Sequence, residues 1–287
     1  MKRFEYHQPQ SLDEASALLA ELGTQASIIA GGTDLLVEIK EELRKPLHVV
    51  DIKKLPGLGD LSFDASEGLR FGALVTARQI ETWAPVIEHY PNLRTAVSLL
   101  GSIQVRNRAT VVGNVCRASP SADTIPPLVA DGASLEVYNR TGERTIAIEE
   151  FFTGPGRTVL APGDIVTGIS VPPPQPASGR AYIKHGRRKA MELATVGVAV
   201  SLDSDGDTCR EIRIALGAVA PTPIRARNAE ALSRGRALDL SAIAAIADAA
   251  MAESTPISNV RASADYRREM VGVLTRRAIG QAMGGIQ

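Results

Sequence analysis

The run Ile28-Ile29-Ala30-Gly31-Gly32-Thr33-Asp34-Leu35-Leu36 brings together residue types that can hold a phosphate. Adjacent glycines lack Cβ, so their backbone N–H groups can turn toward a ligand and approach it closely. Two β-branched residues and an alanine lead in, and a polar pair opens an apolar-periodic segment. That is the order of strand, tight loop and helix start. The helix N-terminus adds partial positive charge, which favours a phosphate or pyrophosphate. The same glycine pair would also serve as a simple turn. A second segment of similar character, Thr110-Val111-Val112-Gly113-Asn114 followed by Ala118-Ser119-Pro120-Ser121-Ala122-Asp123, points to a dinucleotide held at several places. The spacing is neither the three-glycine Rossmann fingerprint nor the Walker loop. Gly154-Pro155-Gly156 lacks the third glycine and puts proline where a phosphate loop wants a donor.

Three units must position these loops. Ser11-Leu12-Asp13-Glu14 reads as a capping box, with Leu12, Ala15, Leu18, Leu19 and Leu22 on one helical face. A strand at 26–30, the first glycine loop, a helix through about Leu43, and a strand at His48–Ile52 complete a β-α-β unit ending near Pro56-Gly57. A second α+β unit holds the strand Leu69–Gly72, a helix after Pro91, the second loop, the strand Leu135–Tyr138 and the turn Asn139–Gly142. Pro172-Pro173-Pro174-Gln175-Pro176 is too proline-rich for helix or central strand and marks a linker. Strands at 181–185, 194–203 and 210–219 follow, with a hairpin turn at Asp203–Asp207. Alanine- and arginine-rich helices close the chain, the last placing Tyr266, Met270, Val273, Leu274 and Ala278 on one core-facing stripe.

Bulk properties set limits. The 287 residues carry 32 basic and 32 acidic side chains and a formal charge of zero, which gives no reason to expect a nucleic-acid or anionic-membrane surface. The first residues have no apolar signal core, and no window reaches the length needed to span a bilayer, so a soluble, cytoplasmic protein without membrane insertion is expected. Cys116 and Cys209 form no CxxC motif and are too few for an iron–sulfur cluster. His7, His48, His89 and His185 show no metal spacing. Asp205-Gly206-Asp207 lacks the further ligands of an EF-hand and reads as a solvated hairpin. No metal site and no catalytic residue is expected in this chain.

The two loops, with Phe151–Gly156, Gly163-Asp164-Ile165-Val166, Ala220–Arg225 and Tyr266-Arg267 in order, resemble the FAD-binding medium subunit of the molybdenum hydroxylases. That family includes xanthine, carbon monoxide and nicotinate dehydrogenases. The resemblance runs from about residue 3 to residue 283. Thr153–Gly156, Ala220–Arg225 and Arg261-Ala262-Ser263 resemble most the separate FAD subunit of bacterial xanthine dehydrogenases.

The resemblance implies an α+β fold of the PCMH/VAO type. Its FAD-binding domain has two parts, residues 1–57 and 58–171; a linker at 172–179 leads to a C-terminal sheet and helix bundle at 180–287. It implies that Gly31, Gly32 and Thr33, within the stretch Ile28–Leu36, hold the FAD pyrophosphate. Asp34 would turn aside to bond loop N–H groups, or act only as a helix cap. Thr110, Gly113 and Asn114 would form the second phosphate wall, with Val112 and Ser119 also among the implied cofactor-binding residues. Relatives carry Gly-Gly before the asparagine, and Val112 in place of the first glycine implies a backbone there with φ < 0. Asp123 would accept from ribityl or ribose hydroxyls, or cap a helix. Leu100 lies near the adenine, Val166 and Leu193 beside the ring, and Lys184 at the isoalloxazine pyrimidine edge. The segment His185–Thr195 corresponds to a loop beside the flavin. Arg106, Arg108 and Arg117 could offset phosphate charge or face a subunit.

The implied role is electron transfer from the iron–sulfur clusters of a small subunit, fed by a large molybdenum-cofactor subunit, through FAD to NAD or another acceptor, in a dimer of heterotrimers. Gln104–Arg108 and Asn114–Ser119 are the expected docking face, with Arg106 and Arg108 at its rim. A stand-alone flavin oxidoreductase and a flavin-free scaffold remain as rival readings, and carbon monoxide or an N-heterocycle as rival substrates.

Overall fold

The computed structural model describes residues 3–206 and 208–285. Helix Leu12–Leu22 starts where the sequence caps it: Ser11 Oγ accepts the Glu14 N–H at 3.1 Å, and the Glu14 carboxylate takes the Gln10 N–H at 2.7 Å. Strands Glu5–His7, His48–Asp51 and Ala26–Ile29 form, in that order, a three-stranded all-parallel sheet. The following helix is Leu35–Lys40, shorter than the expected run to Leu43. Glu42 takes a left-handed φ of 56°, and the N–H groups of Leu43 and Arg44 fold back onto Glu38 O at 2.9 and 3.2 Å. That closure stops the helix before Pro46.

The second unit is a five-stranded antiparallel sheet in the order Leu61–Asp64, Gly68–Gly72, Ile165–Val171, Ser134–Asn139, Gly142–Ala147. Short helices fill the interval between its second and third strands in sequence, Gly68–Gly72 and Ser134–Asn139, among them Ala77–Thr82, Pro91–Ser98, Ile103–Arg106, Val111–Cys116 and Ile125–Ala130. One apolar core joins Ala15, Leu19 and Val50 of the first unit to Phe71, Ile80, Leu93, Val111, Ile125, Leu135 and Ile165 of the second. The second glycine segment is anchored in this core through Val111, Val112 and Val115, whereas the first rests on a smaller cluster of Ile29, Leu35, Ile39 and Val49.

The third sheet runs Ser178–His185, Val196–Asp205, Thr208–Gly217, Ile224–Arg225. Its first strand begins inside the stretch expected to be linker. Tyr182, Ala199 and Ala215, in register across three strands, belong to the core of the first two units. Their neighbours Val198, Val200, Ile214 and Leu216 belong to a second core beneath helices Leu240–Glu253 and Ala264–Gly284. Burial on both faces accounts for the near-continuous apolar run Val196–Leu202. Asp207, part of the expected hairpin turn, lies outside the described residues.

The last helix buries Arg267, Val271, Leu274, Thr275, Ala278, Ile279 and Ala282, so the expected stripe is displaced. Leu274 and Ala278 face inward, whereas Tyr266 is 43% exposed. Arg267 is drawn in because its guanidinium donates to Thr195 O at 2.5 Å, Ala218 O at 3.2 Å and Asn259 Oδ1 at 2.9 Å. Hydropathy periodicity counts arginine as outward-facing and misses that pull.

Candidate functional site

The first glycine segment is a loop between strand Ala26–Ile29 and helix Leu35–Lys40. Gly32 has φ of +75°, the left-handed region open to glycine. Gly31 is required for a different reason: a Cβ there would lie 2.1 Å from Arg108 O and 3.0 Å from Ala109 Cα. The loop thus presses backbone to backbone against the residues just before Thr110, and the two segments singled out in the sequence meet. Among the described residues, the N–H groups of Gly31, Gly32, Thr33 and Asp34 donate to no protein acceptor. Ile29, Leu35 and Ile39 pack with Val49 beneath the loop, while Ile28 and Leu36 are exposed beside it. Asp34 makes no side-chain cap bond. Partial desolvation pushes its carboxyl up from its ordinary value, with Arg117 opposing and Glu38 adding to the rise.

The second segment is the first turn of a helix, Val111–Cys116, rather than an open loop. Thr110 caps it: its Oγ1 accepts the Gly113 N–H at 3.0 Å. The Asn114 N–H donates to Thr110 O at 3.0 Å, and the Asn114 side chain accepts from Thr124 Oγ1 at 2.7 Å. Val112 is a buried helical residue of the main core. Ser119, half-buried, accepts from the Ser121 N–H at 3.3 Å in the turn that leads to Asp123.

Asp123 and Lys184 are brought together as a buried ion pair, Nζ to Oδ2 at 2.7 Å. Tyr182, on the same face of the same strand as Lys184, donates to the other carboxylate oxygen at 2.9 Å. Lys184 also donates to Glu192 O at 2.6 Å and Leu99 O at 3.3 Å, so its three N–H donors are spent. Burial pushes the Asp123 carboxyl up, with Lys184 and Tyr182 pulling it back. Burial and the adjacent carboxylate hold the Tyr182 hydroxyl well above its ordinary value. Asp123 does not cap the next helix, whose N-cap is Thr124. This pairing had no sequence signal beyond the individual residues.

Leu100 is half-buried next to Leu99, and its carbonyl accepts from Arg106 Nη1 at 3.0 Å. Val166 is buried in the strand Ile165–Val171. Leu193 is exposed, as is Met191, on the loop closed by Glu192 and its ion pairs to Arg187 and Arg188. Arg106 is not a rim residue: it is 7% exposed and pairs with Glu81 at 2.9 Å. The expectation of a surface contact there fails because this buried carboxylate claims the guanidinium. Arg117 pairs with Glu38 at 2.6 Å, tying the two segments together, and Arg108 is exposed. Two cavities, of about 150 and 370 Å³, lie away from this region, beside Arg225 and beside Arg70 and Glu136.

Residues 2–174 match the family model of the FAD binding domain in molybdopterin dehydrogenase, and residues 181–282 match the CO dehydrogenase flavoprotein C-terminal domain. The chain belongs to this family of FAD-binding medium subunits of molybdenum hydroxylases. The xanthine dehydrogenase FAD-binding subunit of Escherichia coli O157:H7 is 34% identical over 97% of this chain and 95% of that protein. The carbon monoxide dehydrogenase medium chain of Hydrogenophaga pseudoflava is 35% identical over 98% and 97%. The fold matches a solved carbon monoxide dehydrogenase of Hydrogenophaga pseudoflava, one lacking the Mo-pyranopterin moiety of its cofactor, with a TM-score of 0.96, 36% identity and 100% and 99% coverage. The residues of this family member fit a dinucleotide cofactor: a loop whose amides have no partner among the described residues, and a glycine whose Cβ would collide with the neighbouring backbone.

Proposed function

We propose that this chain is the FAD-carrying electron-transfer subunit of a xanthine-dehydrogenase-type hydroxylase, working with a small iron–sulfur subunit and a large molybdenum-cofactor subunit in a cytoplasmic dimer of heterotrimers. The observation that carries the reading is the unspent row of amides at Gly31–Asp34, backed by Arg108-Ala109 and tied to the second segment by the Arg117–Glu38 ion pair. Bound FAD supplies two-electron exchange with a nicotinamide acceptor and single-electron exchange with a metal cluster. In this reading the N–H groups of Gly31, Gly32 and Thr33 hold the pyrophosphate. Thr110, Val112, Gly113, Asn114 and Ser119 shape the opposite wall, where Thr110 and Gly113 are already bonded to each other. Leu100 borders the adenine, and Val166 and Leu193 border the ring. Asp123 orients toward a sugar hydroxyl while fixed by Tyr182 and Lys184. Lys184, with no donor to spare, places Leu99, Asp123 and Glu192 around the ring end and acts there through its residual field.

The xanthine assignment is supported by the Thr153–Gly156, Ala220–Arg225 and Arg261–Ser263 segments. The test is purification of the native complex, with molybdenum, iron and FAD analysis and assays of xanthine, carbon monoxide and nicotinate against NAD. Xanthine turnover by the complex is expected. The isolated FAD-loaded chain should take electrons from NADH and hydroxylate nothing. Hydroxylation by the isolated chain would overturn the subunit role, and turnover of carbon monoxide or nicotinate instead of xanthine would overturn the substrate.

A further inference from the structure

The parallel pairing of Glu5–His7 with His48–Asp51 also brings together side chains that play no part in the glycine loops. Glu5 is in register with His48 and His7 with Val50. Side chains alternate along a strand, so Glu5, His7 and His48 share one face of the sheet. Tyr6 and Asp51 share the other, where the Tyr6 hydroxyl donates to the Asp51 carboxylate. On the first face, His7 Nε2 and His48 Nδ1 are 3.0 Å apart. One oxygen of Glu5, Oε2, lies 3.4 Å from His48 Nδ1 and 3.9 Å from His7 Nε2. Three ligand atoms of the types that bind borderline divalent ions thus converge on one point.

We infer that Glu5, His7 and His48 form a site for a divalent transition-metal ion, zinc by preference, with its fourth position open to water. Zinc takes imidazole nitrogen and carboxylate oxygen at about 2.0–2.1 Å in a tetrahedron. That geometry sets ligand atoms roughly 3.3–3.4 Å apart, and the three observed separations bracket this value. Without a cation, one imidazole must donate to the other. With one, both direct lone pairs at the metal, and the Glu5 carboxylate, at the protein surface, supplies compensating charge. The two histidine side chains are 26% and 16% exposed, so an ion has a path in while the rings stay held by the sheet. Glu5 and His48 stand at the starts of their strands, and the edge strand Glu5–His7 is separated by the central strand from Ala26–Ile29, the strand that leads into Gly31-Gly32. The effect of the site is to clasp the edge strand Glu5–His7 to the central strand.

The experiment uses the full-length FAD-loaded chain, stripped with chelator and titrated with zinc sulfate, with cobalt as a spectroscopic substitute. One equivalent of zinc should bind, cobalt should give the intense visible bands of tetrahedral coordination, and zinc should raise the melting temperature. His7→Gln and His48→Gln should each weaken zinc binding by more than about a hundredfold, beyond the loss typical of outer-sphere partners. Glu5→Gln should weaken it less, and all three variants should keep the FAD-to-protein ratio. Absence of stoichiometric binding to the wild-type chain, or unchanged affinity in the histidine variants, would reduce the cluster to a hydrogen-bonded histidine pair and overturn the inference. If a histidine variant fails to fold, the wild-type cobalt spectrum and Glu5→Gln still decide it, since Glu5 is a surface side chain.

Discussion

Gly31 and Gly113 both sit where the chain enters a helix, yet their surroundings use the missing side chain differently. Around Gly31 the neighbour is backbone, the Arg108 carbonyl 2.1 Å from where a Cβ would stand, and the loop amides have no partner among the described residues. Around Gly113 the nearest atom is the rotatable Thr110 Oγ1 at 2.8 Å, and the amide is bonded to it. The first segment keeps its hydrogen-bonding capacity for something outside the chain; the second has spent it on its own helix. Two glycine segments that look alike in sequence are therefore not two copies of one device.

The largest effect should come from putting a methyl at each glycine. Gly31→Ala drives a methyl into the Arg108 carbonyl and forces the two backbones apart, so a soluble protein with little or no FAD and a lowered melting temperature is expected. Gly113→Ala needs only a threonine rotation and should retain most of its FAD. Flavin absorbance per protein after purification reads both, and equal loss in the two variants would erase the distinction.

Next in size is the buried Asp123–Lys184 pair. Asp123→Ala leaves Lys184 and the Tyr182 hydroxyl buried with no carboxylate. Breaking a buried pair in this way costs about 3–5 kcal/mol. Chemical denaturation should show a loss of that order for the apoprotein, and a smaller one for Asp123→Asn, which keeps an acceptor. Wild-type stability in Asp123→Ala would mean that the pair does not hold the sheet to the helices.

The strand–loop–helix order at 26–40 and the cap at Ser11 were legible because each depends on residues adjacent in sequence. The Asp123–Lys184 pair, the burial of Arg106 against Glu81 and the inward turn of Arg267 were not. Each joins residues far apart in the chain, and a charged side chain carries no sequence mark telling whether a partner awaits it inside. Likewise, Val112 could be read as a departure from a glycine pattern, but only the fold shows why valine suits the place: it is 3% exposed, in a helical turn that packs into the main core.

That placement gives a sharper test of the second segment. Val112→Gly restores the expected pair of glycines but removes a buried side chain worth about 1.5–3 kcal/mol and adds a few tenths of a kcal/mol for glycine in a helix. Lower stability with unchanged FAD affinity is expected from paired denaturation and fluorescence titrations. Tighter FAD binding would mean that the segment works as an open phosphate loop after all.

The smallest effect separates cap from ligand contact at Thr110. Its Oγ1 accepts the Gly113 N–H, so Thr110→Ala should cost the apoprotein about 1 kcal/mol, the usual loss of a helix N-cap, and Thr110→Ser should restore it. If the hydroxyl serves only this cap, the FAD dissociation constant should change by less than about threefold, because a full hydrogen bond to the cofactor corresponds to roughly a tenfold change per 1.4 kcal/mol. The opposite pattern, unchanged apoprotein stability with FAD binding weakened about tenfold or more, would move Thr110 from the helix to the cofactor. It would also make the second segment a partner of the first, since the hydroxyl now closed onto Gly113 would have to turn toward the amides of Gly31–Asp34.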